Sequence, residues 1–187
     1  MSSSYLTNPL GFLVSTLLGL YILMVMLRFL MGCVRADFYN PVSQFLVKLT
    51  NPVLTPLRRV IPAAGRVDMA TILLLLSLQM LELVILSWLK GGHLPFIALL
   101  VWAIAELLSL AINVFVFSIL IQVILSWVSP GSYNPVSSIL YSLNEPILAP
   151  IRKFLPPLGG IDLSPIIALI GLQLLKMLLV PPLMHLV

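Results

Sequence analysis

Residues 39–43 read YNPVS, and residues 133–137 repeat the same five letters 94 positions later. From this start, residues 39–82 and 133–176 align without a gap and share 19 identities in 44 positions. Each copy follows one long apolar run, crosses a Pro-rich segment and enters a second apolar run. The repeat therefore defines a unit of span, loop and span that occurs twice in the chain.

The composition identifies the protein class. Of the 187 residues, 60% are apolar and 9% are charged, and the mean hydropathy is +1.15. A soluble domain carries about 25% charged residues, because polar side chains must cover its surface. This composition excludes a soluble enzyme, a nucleic-acid-binding protein and a disordered tail, and it predicts an all-α integral membrane protein.

Span lengths predict four crossings, because a bilayer core of about 30 Å requires roughly 20 apolar helical residues. The apolar run 96–128 contains 33 residues, a helix of about 50 Å, too long for one crossing and too short for two. Because Trp favours the interface, Trp102 suggests that residues 94–102 lie along or beyond the outer surface. We therefore expect a first unit at 1–90, an outer connector at 91–102 and a second unit at 103–187. The predicted spans are 10–34, 69–89, 103–128 and 163–180.

Charge predicts the orientation of these spans. Two crossings return each unit to its starting side, so the units form parallel repeats about a pseudo-two-fold axis along the membrane normal, with both loops on one face. By the positive-inside rule we expect cytoplasmic loops and periplasmic termini in the cell inner membrane. The loop face carries seven of the ten basic residues: Arg35, Lys48, Arg58, Arg59, Arg66, Arg152 and Lys153.

The repeated motif resembles the YggT family, also called YlmG. Each copy has YNP, then NPVLTPLR (51–58) or EPILAPIR (145–152), then GRVD (65–68) or GGID (159–162), and finally Gln79 or Gln173. The resemblance covers nearly the whole chain and implies paired membrane repeats without an established molecular activity. It also implies the family's associations with osmotic tolerance, cell-division genes, plastid cytochrome b assembly and nucleoid distribution.

The loops contain the candidate partner surface. Asn40 and Asn134 each precede a proline, which predicts capped helix starts, and Tyr39 and Tyr133 stand beside them. Apolar residues then recur on one face, which predicts amphipathic helices in the headgroup region. These helices are either capped surface helices alone or a platform for a protein partner or curved lipid. The predicted apolar faces are Val42, Phe45, Leu46 and Leu49 in the first copy, and Val136, Ile139, Leu140 and Leu143 in the second.

Charged residues follow each loop helix at equivalent positions. Basic pairs there anchor the loop to anionic headgroups, or Arg58 and Arg152 face each other near the axis and bind one headgroup or partner carboxylate. Asp68 and Asp162 precede the second spans, where an acidic residue caps a helix, and an ion pair with the nearby Arg is compatible with capping. The two basic pairs are Arg58–Arg59 and Arg152–Lys153.

Polar residues within the spans are the other candidates, because such groups usually face protein or water. Glu82 and Lys176 occupy equivalent positions, so they either pair between the repeats or reach separately toward the outer surface. Small residues at 11, 15 and 19 form a packing stripe that would join the two repeats or two copies of the chain. The intramembrane set is Gln79, Glu82, Glu106, Asn113, Gln122, Gln173 and Lys176, of which Gln79 and Gln173 are expected to form interhelical hydrogen bonds.

Function is expected to be non-catalytic. The single Cys33, the isolated His93 and His185 and the absence of a Gly-rich phosphate loop supply no catalytic, cofactor or metal set. We expect a scaffold or assembly factor in envelope homeostasis, serving osmotic tolerance, division or membrane-complex assembly. Its expected partners are anionic headgroups and a protein at the cytoplasmic loops. The alternative is a small ion or osmolyte channel that acts as an oligomer and depends on Glu82 or Glu106.

Overall fold

The computed structural model describes residues 3–62, 67–128, 134–155 and 162–186. These residues form six helices, and each repeat contributes three of them in the same order. The helices are α1 (Ser3–Cys33), α2 (Pro41–Val60), α3 (Met69–Leu89), α4 (Phe96–Val128), α5 (Pro135–Phe154) and α6 (Ser164–Met184).

Four of these helices, α1, α3, α4 and α6, are long and apolar enough to cross a membrane. The protein is thus an all-helical, multi-pass membrane protein. The shorter helices α2 and α5 connect the two spans of each repeat, and we call them the loop helices.

Sequence chemistry explains where the loop helices begin. The Asn40 side chain accepts a hydrogen bond from the backbone N–H of Val42 at 2.9 Å. Asn134 accepts one from Ser137 at 2.7 Å, and the Ser137 hydroxyl accepts the Asn134 backbone N–H at 3.1 Å, which completes a capping box. A proline then occupies the first turn of each helix, where its missing N–H costs nothing.

Two internal prolines interrupt the hydrogen bonding of each loop helix without ending it. In α2 these are Pro52 and Pro56, which leave the carbonyls of Lys48 and Pro52 without their usual helical donors. Both of those residues are exposed, so the freed carbonyls can bond water or headgroups.

The buried face of α2 differs from the predicted one. Leu46 is buried as expected, but Phe45 is 58% exposed and Leu49 is also exposed. The other buried positions are Ser43, Thr50 and Leu54. Burial of the two hydroxyls costs little because each donates to a backbone carbonyl at 2.6 Å, Ser43 to Asp37 and Thr50 to Leu46. In α5 the predicted Ile139, Leu140 and Leu143 are buried, whereas Val136 is exposed.

Helix α4 runs unbroken through the expected connector boundary at residue 102. Ala98 and Leu99 are buried, so the start of this helix packs on the bundle, and the connector at 91–102 stays a prediction. The level of the bilayer along these 33 residues stays a prediction. Helices α1 and α6 likewise extend across Pro9, Pro181 and Pro182, which the spans were expected to exclude.

Apolar packing joins the units mainly through α3 and α4. The largest buried cluster includes Ile22, Val25, Leu54, Leu74, Val114 and Leu143, and it draws on α1 to α5. Among the residues that the structure describes, helix α6 packs on α4 and α5. A closed two-fold arrangement would pair α6 with α1 as α3 pairs with α4, and the described residues make no such contact.

A buried polar network attaches α5 to α4. The fully buried Asn144 donates from Nδ2 to Gln122 Oε1 at 2.7 Å, and its Oδ1 accepts from the Ser118 hydroxyl at 2.6 Å. The Asn144 amide therefore has hydrogen-bond partners on α4 although it is buried among apolar residues.

We expect Asn144→Ala to lower the free energy of unfolding by about 1–2 kcal/mol, because it leaves the Gln122 amide without its described partner and removes one of the two acceptors of the Ser118 hydroxyl, which also bonds the Phe115 carbonyl. Unfolding in mixed detergent micelles measures this change. Ser142→Ala is the control, since that hydroxyl donates only to the Ser138 carbonyl of its own helix. Equal losses in both variants would contradict the role of the network.

Candidate functional site

Each repeat forms a junction where the first span, the loop helix and the start of the second span meet. In the first repeat, the Arg58 guanidinium forms an ion pair with Asp68, with Nε to Oδ2 at 3.0 Å. In the second, Arg152 Nε donates to Asp162 Oδ2 at 2.9 Å, and Arg152 Nη1 donates to Glu145 Oε2 at 2.8 Å. The ion pairs fix the end of each loop helix to the start of the next span.

The same two carboxylates also bond the first turn of the second spans. Asp68 accepts the Thr71 hydroxyl at 2.6 Å and its backbone N–H at 3.4 Å. Asp162 accepts the Ser164 backbone N–H at 2.9 Å and the Ser164 hydroxyl. Asp68 is thus both the N-cap of α3 and an ion-pair partner, whereas Asp162 lies one residue before Leu163, the cap position of α6, and combines its ion pair with bonds to Ser164.

The pKa values of both carboxylates are lowered. Burial raises the pKa of Asp68, but hydrogen bonds from Thr71 and Arg58 and the Arg58 charge bring it below its ordinary value. The pKa of Asp162 is also lowered, because hydrogen bonds from Ser164 and Arg152 outweigh its burial. Both groups are thus ionised at neutral pH.

Arg28 is a member of the first junction that sequence reasoning missed. It lies inside the first span, five residues before its end at Cys33, and only 7% of it is exposed. Its Nη1 donates to the Thr50 hydroxyl and to the Val47 carbonyl at 3.4 Å, so it attaches α2 to α1.

The repeat offset could have identified this residue. Positions 94 further along are Gln122 for Arg28 and Asn144 for Thr50, and Gln122 and Asn144 bond each other in the second repeat. Each unit therefore has a polar link between its first span and its loop helix. The link includes a cation in the first unit and is neutral in the second.

A cavity lies beside each junction. The first, of about 380 Å³, is lined by Arg28, Asn51, Arg58, Asp68 and Thr71, together with apolar residues that include Phe29 and Phe38. The second, of about 660 Å³, is lined at equivalent positions by Gln122, Arg152, Asp162 and Pro165. The two cavities share a place in the repeat but differ in charge.

Arg58 and Arg152 each form ion pairs within their own repeat, Arg58 with one carboxylate and Arg152 with two. That the two arginines face each other near the axis stays a prediction. Their sequence neighbours Arg59 and Lys153 are exposed on the loop helices.

The loop helices are joined at their starts. Asn40 Nδ2 donates to the Pro135 carbonyl oxygen at 2.7 Å, which links the first turn of α2 to that of α5. Tyr39 beside this link is 88% exposed. Its predicted counterpart Tyr133 lies outside the described residues.

Within the membrane, the hypothesised pair of Glu82 with Lys176 does not form. Glu82 accepts from Gln79 Nε2 at 3.2 Å, and Lys176 donates to Asn113 Oδ1 at 2.9 Å. Helices α3 and α6, which carry the two charges, do not touch among the described residues, because each packs on α4. Equivalence in sequence therefore does not place these side chains together.

Of the remaining intramembrane candidates, Glu106 on α4 lies close enough to Glu82 on α3 for the two charges to interact. Gln79 bonds within its own helix instead of between helices, while Gln173 and Glu106 are exposed. In the small-residue stripe, Gly11 faces Leu86 of the same repeat, and a Cβ placed on Gly19 would meet no other atom within 4 Å. Among the described residues, no group of three or more His, Cys, Asp or Glu could hold a metal ion.

Comparison with known proteins detects the same repeat. The sequence model of the CCB3/YggT family matches the chain twice, over residues 7–89 and 101–183. The two matches begin 94 residues apart, which is also the offset of the YNPVS repeat.

Full-length bacterial proteins are similar to this chain. A Pseudomonas aeruginosa protein is 48% identical over 171 residues, which cover 90% of this chain and 87% of its own. The YggT protein of Escherichia coli K12 is 41% identical over 172 residues, which cover 91% and 88% of the two chains.

A plant relative matches a shorter stretch. The chloroplast protein CCB3 of Arabidopsis thaliana, whose name describes cofactor assembly of complex C, is 32% identical over 73 residues. That stretch covers 38% of this chain and 42% of the plant protein. No solved structure matches the chain significantly.

We expect acid to weaken the junctions. Because the pKa values of Asp68 and Asp162 are lowered on folding, the stability from ionised carboxylates is present above their ordinary value of 3.8 and is lost as pH falls through the folded values. Melting in detergent from pH 7 to pH 3 should show a steep fall below about pH 4.

The variant pair for this measurement is Asp68→Asn with Asp162→Asn, which should melt lower at pH 7 and show a shallower acid dependence. Asp37→Asn, a carboxylate outside both ion pairs, should keep the steep fall. An unchanged acid profile in the double variant would show that other groups cause it.

Proposed function

The chain belongs to the CCB3/YggT family, and from this premise we propose that it is a non-catalytic assembly factor of the cell inner membrane. In this proposal its loop helices lie on the cytoplasmic side and hold a protein partner during assembly of a membrane complex. Envelope homeostasis, including osmotic tolerance and division, depends on that activity.

The observation that carries the proposal is the bond from Asn40 to the Pro135 carbonyl. It joins two loop helices from different repeats, which also pack against each other. The polar links to α1 and α4 attach the same helices to the bundle. A preorganised surface binds a partner with less loss of conformational entropy than two independent loops would.

The chemistry of this surface suits a protein partner. We name it the loop platform and define it by six exposed residues: Tyr39, Phe45, Lys48, Arg59, Tyr141 and Lys153. Aromatic residues and Arg dominate binding energy at protein interfaces, because they bury a large area and carry hydrogen-bonding groups. The basic side chains also suit the headgroup region of an anionic membrane.

The name of the Arabidopsis relative adds support, since it describes cofactor assembly of a complex. We extend that kind of activity to this chain as part of the proposal.

Permeation is the alternative. The contact of Lys176 with Asn113 between α6 and α4 favours it, because ionisable groups within spans often mark ion or substrate pathways. The cavity between the units, about 480 Å³, is lined almost entirely by apolar residues such as Leu27, Leu110 and Leu143. A hydrated ion has few polar groups to replace its water there. We therefore favour assembly.

Removing the platform's aromatic residues separates the two functions. The complex to measure is the one whose amount falls in a strain that lacks the protein. When Phe45→Ser with Tyr141→Ser is expressed in that strain, we expect the amount of this complex to stay at the level of the deletion strain. Native-gel separation of solubilised membranes with protein quantification measures this. Glu82→Gln should retain assembly, and both variants should accumulate and melt as the parent does.

The opposite pattern would support permeation. In that case Glu82→Gln would abolish function in cells and potassium or sodium flux in liposomes, while the platform variant would be active in both.

Orientation is tested by labelling single cysteines in a Cys33→Ser background. We expect a cysteine at Ser3 to react with a membrane-impermeant maleimide added to intact cells, and one at the exposed Thr55 of α2 to react only after lysis. The reverse pattern would place the loops outside.

A further inference from the structure

We propose that the cavity beside Arg28 is a binding site for a phosphate group, supplied by an anionic phospholipid or by a soluble phosphate ester. The site lies within the first repeat and does not depend on the assembly role or on the loop platform.

The buried charge of Arg28 is the starting point. Only 7% of the surface of Arg28 is exposed, and the described acceptors of its guanidinium are the neutral Thr50 hydroxyl and Val47 carbonyl. No described carboxylate lies within 4.0 Å of it. A buried cation is costly unless an anion pairs with it, so this side chain needs a negative partner.

The guanidinium also has N–H groups that can donate hydrogen bonds to a ligand. Both described hydrogen bonds use Nη1, whereas Nε and Nη2 donate to no described atom. Arg28 lines the cavity, so these groups can bond an occupant there. A guanidinium can bond two oxygens of one phosphate in a planar, bidentate manner.

Other lining groups suit the same ligand. The Asn51 amide and the Arg58 guanidinium can donate to phosphate oxygens. Asp68 would repel an anion, but its charge is paired with Arg58. The cavity lining therefore holds one positive charge in excess.

Depth in the membrane favours phosphate over other anions. Arg28 lies five residues from the end of α1, about 7.5 Å along the helix axis, on the side of the loops. Phospholipid phosphates occupy the boundary between hydrocarbon and water. Phe29 and Phe38 in the lining would contact the apolar part of such a molecule.

The second cavity supplies a comparison within the same molecule. Gln122 replaces Arg28 there, and Arg152 is paired with both Asp162 and Glu145. That cavity lacks the excess cation, so phosphate selectivity belongs to the first cavity alone.

Native mass spectrometry of the detergent-purified protein tests the site, with titrations of phosphatidylglycerol, phosphatidylcholine, glycerol 3-phosphate and inorganic phosphate. We expect tighter binding of phosphatidylglycerol than phosphatidylcholine, and about tenfold weaker phosphatidylglycerol binding in Arg28→Gln, because one charge-assisted hydrogen-bonding group is lost. Lys90→Gln removes the same charge from an exposed position at the opposite end of the spans, outside the loop platform and both cavities, and should bind like the parent.

Two further variants guard against misfolding. Asn51→Leu keeps Arg28 but removes a lining donor, and it should weaken phosphatidylglycerol binding several-fold. Gln122→Ala alters the equivalent position of the second cavity and should leave binding unchanged. Melting curves of each variant check the fold.

The ligands distinguish the source of the phosphate. Selective phosphatidylglycerol binding that requires Arg28 supports a lipid site, and Arg28-dependent binding of glycerol 3-phosphate or inorganic phosphate supports a soluble source. Three results would overturn the proposal. The first is equal binding of phosphatidylglycerol and phosphatidylcholine, and the second is equal phosphatidylglycerol binding by the parent, Arg28→Gln and Asn51→Leu. The third is no binding of any of the phosphate-containing ligands. None of these results depends on complex assembly in cells.

Discussion

The polar link between the first span and the loop helix is the contact on which the rest of the structure depends. In an apolar surrounding, a buried polar side chain must find a partner, so Arg28 with Thr50 and Gln122 with Asn144 fix each loop helix at one position on its span. Apolar packing alone would allow such a helix to slide or rotate at little cost. These links therefore also hold the loop-helix residues that line the two cavities in a defined place.

Ion pairs complete each junction from the opposite end of the loop helix. Arg58 with Asp68, and Arg152 with Asp162, attach the last turn of the loop helix to the carboxylate that bonds the first turn of the next span. The loop helix is thus held near its middle by one span and at its end by the other. This arrangement lets helices with two internal prolines each keep a defined path.

The sequence predicted features that depend on nearby residues better than it predicted which helices pack against each other. The helix starts at Asn40 and Asn134 and the four spans followed from chemistry that acts within a few residues. Residue periodicity could not tell which side of α2 faces the bundle, because Thr50 satisfies its hydroxyl within its own helix and so tolerates burial. The repeat offset showed that Glu82 and Lys176 are equivalent, but not that α4 lies between their helices. The same offset relates Arg28 to Gln122, a second polar residue inside a first span, and that equivalence was the available signal for the buried cation.

The difference between Arg28 and Gln122 has an evolutionary consequence. A homodimer of single units would carry identical residues at both junctions, so each substitution would change two sites at once. With both units on one chain, a mutation changes one junction and leaves the other as it was. Two units on one chain therefore allow one junction to be neutral and the other to carry a charge, an asymmetry that two identical subunits could not have.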